Sequence, residues 1–209
     1  MSVSAARLLL RELPSLAAPL PDFDVARAAA TPQEQFLDWL RAAIAAGVRE
    51  PHAMTLGTVD SAGRPDARVL ILKDLDQRGW HFASSRHSPK GRQLDHNAHA
   101  TLTFYWPTLG RQVRIRGAVT DLGPEAAAAD FWARPPAARA TAALERQSQI
   151  MDQLSAAPPL EADAVPAGWA VSAMAPSAVE FWQGRTDRRH TRLVYEPTTD
   201  GWRTARLWP

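Results

Sequence analysis

The strongest constraint on the fold is a series of short β-type segments separated by turn residues. Each segment is rich in aliphatic, β-branched or aromatic residues, and their ranges are 54–59, 67–73, 80–84, 100–106, 111–120, 169–174, 179–182, 192–195 and 202–207. The connections at 60–63 and 76–79 have the composition of hairpin turns. Strands joined by hairpins and interrupted by short helices predict a mainly β fold with flanking helices, built as a small antiparallel barrel.

Capping signals mark where the helices begin. Residues 31–34 (Thr-Pro-Gln-Glu) form a capping box with proline at the first helical position, which predicts a helix that ends near Gly47. The Ser-Pro pair at 88–89 predicts a second helix start. Further helical signals cover 124–133 and 141–154. We therefore expect helices between the strands rather than a separate helical domain.

Alanine and proline dominate residues 1–30, where Pro14, Pro19 and Pro21 are expected to interrupt any helix. This segment predicts an N-terminal arm, and residues 31–209 predict a single domain. A second stretch rich in proline and alanine, 155–166, predicts a linker inside that domain.

Composition argues against several classes of function. The 209 residues include 24 basic and 22 acidic side chains, and this balance predicts no nucleic-acid partner. The chain has no cysteine, and its six histidines lack the HExxH spacing of a zinc site, so no metal is expected. The apolar run at 8–10 is too short to cross a bilayer, which predicts a cytoplasmic protein without membrane association.

Basic side chains beside the β-type segments are candidates for ligand binding. Arg68 and Lys73 flank one segment, although solvated strand ends carry the same residue types. Ser88 and Lys90 begin a capped helix, whose backbone N–H groups and dipole suit an anion. A plain surface helix explains this pair equally well.

An aromatic and basic segment near the C-terminus is more informative. Trp182 is followed closely by Arg188, His190 and Arg192, and such a set can hold a flat anionic heterocycle by stacking and bidentate contacts. Arg188 and His190 are two residues apart, so on a strand they would share a face. The alternative is a hydrophobic strand followed by a basic loop.

From about Glu50 to Pro209 the sequence resembles the pyridoxamine 5'-phosphate oxidase family. The resemblance rests on the order and spacing of several motifs: RxxxxK at 68–73, SxKG at 88–91, FYW at 104–106, RQV at 111–113, RP at 134–135, RQS at 146–148, EFWQG at 180–184, the series at 188, 190 and 192, and RLWP at 206–209. It implies a split β-barrel that works as a homodimer and binds FMN at the interface between its two chains.

The resemblance also implies roles for individual residues. Those expected to contact FMN are Arg68, Lys73, Ser84, Ser88, Lys90, Gln112, Gln147, Ser148, Trp182 and Arg192. Those expected to hold the small-molecule substrate are Lys73, Arg134, Arg188 and His190, the last two as catalytic residues. The reaction implied is hydride transfer from substrate to FMN, followed by reoxidation by O2 with release of hydrogen peroxide.

Four positions depart from the family pattern. Pro89 stands where the family usually has arginine, and Ala83 stands where it has an aromatic residue. Asp130 and Ala138 replace a tyrosine and a serine that help to bind the substrate phosphate. One lost charged hydrogen bond typically costs about 1.5–3 kcal/mol. We therefore expect the flavin half of the site to be retained and the substrate half to be altered.

Three functions fit these residues. The first is oxidation of pyridoxine or pyridoxamine 5'-phosphate, supported by the four substrate-side residues. The second is a related flavin oxidase of secondary metabolism that acts on a dihydro- or tetrahydrophenazine carboxylate, supported by Asp130 and Ala138. The third is a non-catalytic flavin or pyridoxal phosphate binding protein.

Overall fold

Eight antiparallel strands form the centre of the protein in the computed structural model, which describes residues 4–150 and 164–209. The strands are β1 (Ala53–Val59), β2 (Pro65–Asp76), β3 (Gly79–Ser85), β4 (His99–Trp106), β5 (Arg111–Asp121), β6 (Trp169–Gln183), β7 (Thr191–Thr198) and β8 (Gly201–Arg206). Their hydrogen-bonded order is β3-β2-β1-β4-β5-β6-β7-β8, and β3 also pairs with β6. That additional pairing closes β1 to β6 into a six-stranded barrel, as the resemblance implies, while β7 and β8 extend the sheet from β6.

Five α-helices flank the barrel in the described part of the chain. They are α1 (Ala5–Glu12), α2 (Pro32–Ala45), α3 (Pro89–His96), α4 (Gly123–Ala133) and α5 (Pro136–Ala143). Within residues 4–150 and 164–209, no helix has the length and apolar character needed to span a membrane. The predicted start of α2 is confirmed, because Thr31 and Glu34 exchange the two hydrogen bonds of a capping box. The predicted start of α3 is confirmed by the Ser88 hydroxyl, which accepts the backbone N–H of Gly91.

Aromatic side chains fill the core between the barrel and α2. Phe36 and Trp39 of α2 are buried, as the spacing of its apolar face requires. The Phe36 ring meets Trp80 and Phe104 edge to face, with centroid distances of 5.7 and 4.8 Å. Trp39 meets Phe181 in the same way at 5.2 Å. These contacts fix α2 on the barrel.

One long strand replaces two of the predicted β-type segments. The segments 169–174 and 179–182 belong to the single strand β6, which pairs with β3 through its first half and with β7 through its last residues. Pro176 is accommodated at a register shift in the β5–β6 pairing, opposite Gly117. A Cβ at Gly117 would lie 2.0 Å from the carbonyl oxygen of Ala175, so this close approach requires glycine.

The helix predicted over 141–154 is wrong as far as the structure describes it. α5 ends at Ala143, and positive φ angles at Glu145 and Ser148 prevent the helix from continuing. Gln147 and Ser148 therefore lie in a turn, not on a helix. Residues 151–154 and most of the predicted linker lie outside the described residues.

The N-terminal segment contains a helix that its prolines led us not to expect. α1 forms because all three prolines of the segment follow it in the sequence. Beyond α1 the segment lies against the barrel: Phe23 packs edge to face on Trp39 at 4.9 Å, and the Tyr195 hydroxyl donates to the carbonyl of Ala29 at 2.8 Å. The division into an arm and a domain stays a prediction.

Candidate functional site

A cavity of about 940 Å³ lies between the β2–β3 hairpin and the segment from α4 to the turn after α5. Its volume is in the range of small-molecule binding sites. Five of the predicted site residues line it, and they are Lys73, Ser84, Lys90, Arg134 and Gln147. The fold therefore brings together predicted residues from distant segments of the chain. Both lysines of the sequence, Lys73 and Lys90, belong to this set.

Lys90 forms one end of the cavity, in the first turn of α3. Its ammonium group donates to the Ser88 hydroxyl and to the Gln147 side-chain oxygen, both at 3.1 Å. Burial, and to a smaller extent the nearby Arg68 charge, lowers the pKa of Lys90 to about 8, although Asp66 acts in the opposite direction. A desolvated cation thus sits at the positive end of a helix. This arrangement suits an anionic group.

Lys73 forms part of the other end, in a group of four side chains that we call the Asp130 cluster: Lys73, Asp130, Arg134 and Trp169. The Lys73 ammonium lies 3.4 Å from one carboxylate oxygen of Asp130. The other oxygen accepts the indole N–H of Trp169 at 3.0 Å. The Arg134 guanidinium lies over the Trp169 ring, 4.3 Å from its centroid. Lys73, Arg134 and Trp169 line the cavity, and Asp130 lies behind them and links Lys73 to Trp169.

Three other predicted residues lie close to the cavity without lining it. Ser88 sits behind Lys90, and Ser148 lies in the turn between the lining residues Gln147 and Gln149. Arg68 donates to the Thr58 hydroxyl at 2.6 Å and to the Asp66 carboxylate at 2.5 Å. These contacts hold Arg68 near Lys90, whose pKa it helps to lower.

The remaining predicted residues form a second group on the other half of the sheet. Gln112 of β5, Trp182 of β6 and Arg192 of β7 are cross-strand neighbours in one row. The His190 ring lies 4.8 Å from the Trp182 ring, centroid to centroid, which adds it to this row. None of these four residues, nor Arg188, lines the Lys90 cavity.

Arg188 and His190 do not share a strand face, so that expectation is wrong. β7 begins at Thr191, and both residues lie in the preceding turn, where Arg188 has a φ of +65°. The exposed Arg188 side chain donates to the Ser15 hydroxyl at 3.3 Å. His190 accepts the backbone N–H of Arg185 at its Nδ1, at 3.1 Å. In the neutral ring the proton is therefore on Nε2, which is left as a donor.

Glu180 positions Arg192, although no role for Glu180 was expected from the sequence beyond its place in the EFWQG motif. Its carboxylate accepts from Arg192 at 2.7 Å and is also hydrogen-bonded to Arg114. Burial raises the pKa of Glu180, but the hydrogen bonds from Arg192 and Arg114 outweigh burial and hold it below its usual value. Trp169 was missed as well, because no sequence signal places it beside Arg134 and Asp130.

The two groups of predicted residues lie at opposite ends of β6. Trp169, its first residue, belongs to the Asp130 cluster, and Trp182, near its last residue, belongs to the second group. Within one chain the two groups are therefore separated by most of the length of β6.

Two family models match most of the chain. The family model described as "Pyridoxamine 5'-phosphate oxidase" matches residues 40–182, and the model described as "Pyridoxine 5'-phosphate oxidase C-terminal dimerisation region" matches residues 169–209. A pyridoxine/pyridoxamine 5'-phosphate oxidase from Paraburkholderia phymatum is 38% identical over 200 residues, which cover 91% of this chain and 94% of that protein. One from Burkholderia thailandensis is 39% identical over 198 residues, with coverages of 89% and 92%.

Solved structures show the same fold. The crystal structure of PhzG from Burkholderia lata 383 in complex with tetrahydrophenazine-1-carboxylic acid has a TM-score of 0.76 and 26% identity, and the match covers 91% of this chain and 99% of PhzG. A protein from Nostoc punctiforme has a TM-score of 0.70 at 19% identity, over 86% of this chain and 98% of that protein, which is a likeness of fold.

Proposed function

Because this chain belongs to the pyridoxamine 5'-phosphate oxidase family, we propose that it is an FMN-dependent oxidase that works as a homodimer on a small reduced substrate. The observation that carries the proposal is the cavity itself. It combines a buried cation at a helix start with a separate cluster of charged and aromatic groups.

The Lys90 end fits the terminal phosphate of FMN. The Lys90 ammonium is buried and hydrogen-bonds the neutral side chains of Ser88 and Gln147, and burial lowers its pKa. A phosphate beside it would supply a compensating negative charge. Arg68, Ser88 and Gln147 lie within reach of the same place. FMN, when bound, supplies a two-electron acceptor that no side chain of the protein can replace.

A homodimer would complete the site. The second group, which contains Trp182, His190 and Arg192, lies away from the cavity of its own chain and within the region matched by the dimerisation model. In the proposed dimer, the second group of one chain faces the cavity of the other. Stacking on Trp182 and the guanidinium of Arg192 suit a flat anionic ring system.

In the proposed reaction the substrate loses two electrons and two protons, and O2 takes up both to leave as hydrogen peroxide. Arg188 pairs with an anionic or electron-rich group of the substrate. His190 uses its Nε2 position to hydrogen-bond the reacting heteroatom or to exchange a proton with it.

Two substrate classes are candidates. Oxidation of pyridoxine or pyridoxamine 5'-phosphate is supported by the names of relatives that are 38–39% identical over almost the whole chain. Oxidation of a reduced ring carboxylate is supported by the PhzG structure, which contains tetrahydrophenazine-1-carboxylic acid, and by the ion pair that Asp130 forms with Lys73.

Anaerobic mixing tests the proposal. The FMN-loaded protein is mixed without oxygen with pyridoxamine 5'-phosphate, pyridoxine 5'-phosphate or a reduced phenazine carboxylate, and the absorbance of oxidised FMN is followed. We expect at least one compound to bleach the flavin, and admission of air to restore the absorbance with formation of hydrogen peroxide. Binding of FMN without bleaching by any of them would favour the non-catalytic alternative, and failure to bind FMN would refute the proposal.

A further inference from the structure

The two ends of the cavity differ in how their cations are compensated. Within residues 4–150 and 164–209, no carboxylate lies within ion-pairing distance of the Lys90 ammonium. The Lys73 ammonium, in contrast, lies 3.4 Å from Asp130. At the Lys90 end, compensation of the charge therefore needs an anion from outside the chain. At the other end, Asp130 of the same chain already compensates Lys73.

Asp130 is held firmly in this position. Its side chain is 13% exposed, one oxygen faces Lys73, and the other accepts the indole N–H of Trp169. Rotation of the carboxylate away from Lys73 would also break the bond to Trp169. Asp130 does not itself line the cavity, but it places a fixed negative charge directly behind the lining residues Lys73 and Trp169.

Arg134 is the cation of the cluster that stays available. Its guanidinium lies over the Trp169 ring, and its buried Nε has no hydrogen-bond partner in the described part of the chain. No carboxylate among the described residues lies within ion-pairing distance of it. The guanidinium edge can pair with one carboxylate of a ligand.

The cavity wall near the cluster offers few further donors for a phosphate group. Ala83, Ala138 and Ala142 line the cavity and have no polar side-chain atoms. Of the lining hydroxyl groups, that of Thr141 already donates to the carbonyl of Ala137, and those of Ser84 and Ser85 are uncharged. Glu145 and Arg146 add one lining charge of each sign, so they do not change the local balance. A phosphate ester carries up to two negative charges on three terminal oxygens. The cations Lys73 and Arg134, together with the anion Asp130, leave about one positive charge to compensate them.

We propose that Asp130 is a specificity-determining residue that biases the cavity against doubly charged phosphate esters and towards ring compounds with at most one negative charge. It acts by neutralising the lining residue Lys73 and by repelling a second negative charge through space from behind the cavity wall. The inference rests on the proposed function, because it takes the Asp130 cluster as the substrate end of the cavity.

Binding of unreactive analogues tests the inference without turnover. Calorimetry measures the dissociation constants of 4-deoxypyridoxine 5'-phosphate and of 4-deoxypyridoxine, which differ by the phosphate group, on the FMN-loaded protein. Asp130→Asn keeps an oxygen for the Trp169 indole and removes the charge. It should tighten binding of the phosphate ester about tenfold or more and change binding of the other compound less than about twofold.

Two further variants make the result specific. Asp38→Asn removes the same charge at an exposed position of α2, paired with Arg41, and should leave both constants unchanged. Asp130→Ser is a second neutral variant, with a smaller side chain, in case Asp130→Asn does not fold. If either folded Asp130 variant binds FMN normally and the ratio of the two constants does not move, the inference is wrong. If the wild-type protein fails to bind FMN, it is the proposed function that fails.

Discussion

Replacement of Lys90 by methionine should stabilise the ligand-free protein and weaken its binding of FMN. The side chain is 4% exposed, and its ammonium group has two neutral hydrogen-bond partners, Ser88 and Gln147. Methionine keeps much of the length and apolar volume of lysine without the charge. The variant therefore separates the cost of a buried cation from its use in binding an anion.

The magnitude follows from the pKa of Lys90, which is lowered from 10.5 to about 8. At 1.36 kcal/mol per unit, the buried charge costs the folded state about 3 kcal/mol at neutral pH. Loss of the two hydrogen bonds offsets about 1 kcal/mol each, so we expect a net stabilisation of about 1 kcal/mol. Removal of a charged contact to the FMN phosphate should lower FMN affinity roughly 10- to 100-fold.

The pH dependence has a definite sign. Between pH 8 and 10.5 the unfolded chain binds a proton at Lys90 that the folded chain has released, so the stability of the wild-type protein rises over this interval. The Lys90→Met variant lacks this rise. Its advantage at neutral pH should therefore disappear or reverse at about pH 9.5.

Lys73→Met is a control that makes the same change of lysine to methionine, but we expect it to lower the stability of the ligand-free protein rather than raise it. Lys73 pairs with Asp130, whose side chain is 13% exposed, so its removal leaves a mostly buried carboxylate without a cation. We expect a loss of about 1–2 kcal/mol. Urea unfolding at neutral pH and at about pH 9.5, monitored by tryptophan fluorescence, measures the stability of each variant. FMN titration measures the affinity of each variant for the cofactor. If Lys90→Met destabilises the ligand-free protein and leaves FMN affinity unchanged, the interpretation of Lys90 is refuted.

Four further predictions can be checked directly. Arg188→Ala and His190→Ala should each lower kcat/KM roughly 30- to 1000-fold with little change in FMN affinity; steady-state kinetics with unchanged turnover would contradict their role. Glu180→Gln should cost about 2 kcal/mol at neutral pH, and urea unfolding should show that this difference shrinks as the pH falls below 4.5, the ordinary pKa of the group, because the pKa of Glu180 is lowered in the folded state. Tyr195→Phe should lower the free energy of unfolding by about 1 kcal/mol through loss of the bond to Ala29, and an unchanged urea midpoint would show that this contact does not hold the N-terminal segment. Light scattering should give about twice 22.9 kDa, whereas an FMN-binding monomer would exclude the proposed dimer.

The features of the fold that were predicted well depend on neighbouring residues. The Thr31 capping box and the Ser88 cap are satisfied within one turn of helix, so their signal lies entirely in adjacent sequence. The prediction of a helix over 141–154 was wrong because the alanine-rich start of this segment indicates helix. The positive φ angles at Glu145 and Ser148 instead turn the chain, and residues of this turn line the cavity. The extent of β6 depends on β3 and β5, which are distant in sequence.

The candidate site was also predicted only in part from the sequence. Spacing and motif order identified the residues that meet around Lys90, including Gln147 from a distant turn. Periodicity gave the wrong geometry for Arg188 and His190, because a two-residue spacing indicates a shared face in a strand but not in a turn. The contact of Asp130 with Lys73 and Trp169 joins three separate segments, and no local pattern in the sequence records it.

The presence of both lysines in one cavity determines how amine-directed reagents act on this protein. Apart from the α-amino group, an activated ester reaches Lys73, which is 31% exposed. Lys90 has a pKa of about 8, so part of it is unprotonated in mildly basic buffer, but it is only 4% exposed and reacts only with a reagent that enters the cavity. Amine coupling to a sensor chip would thus tend to tether the molecule by its ligand site. A fluorophore attached by the same chemistry would instead become a reporter of whatever enters the cavity.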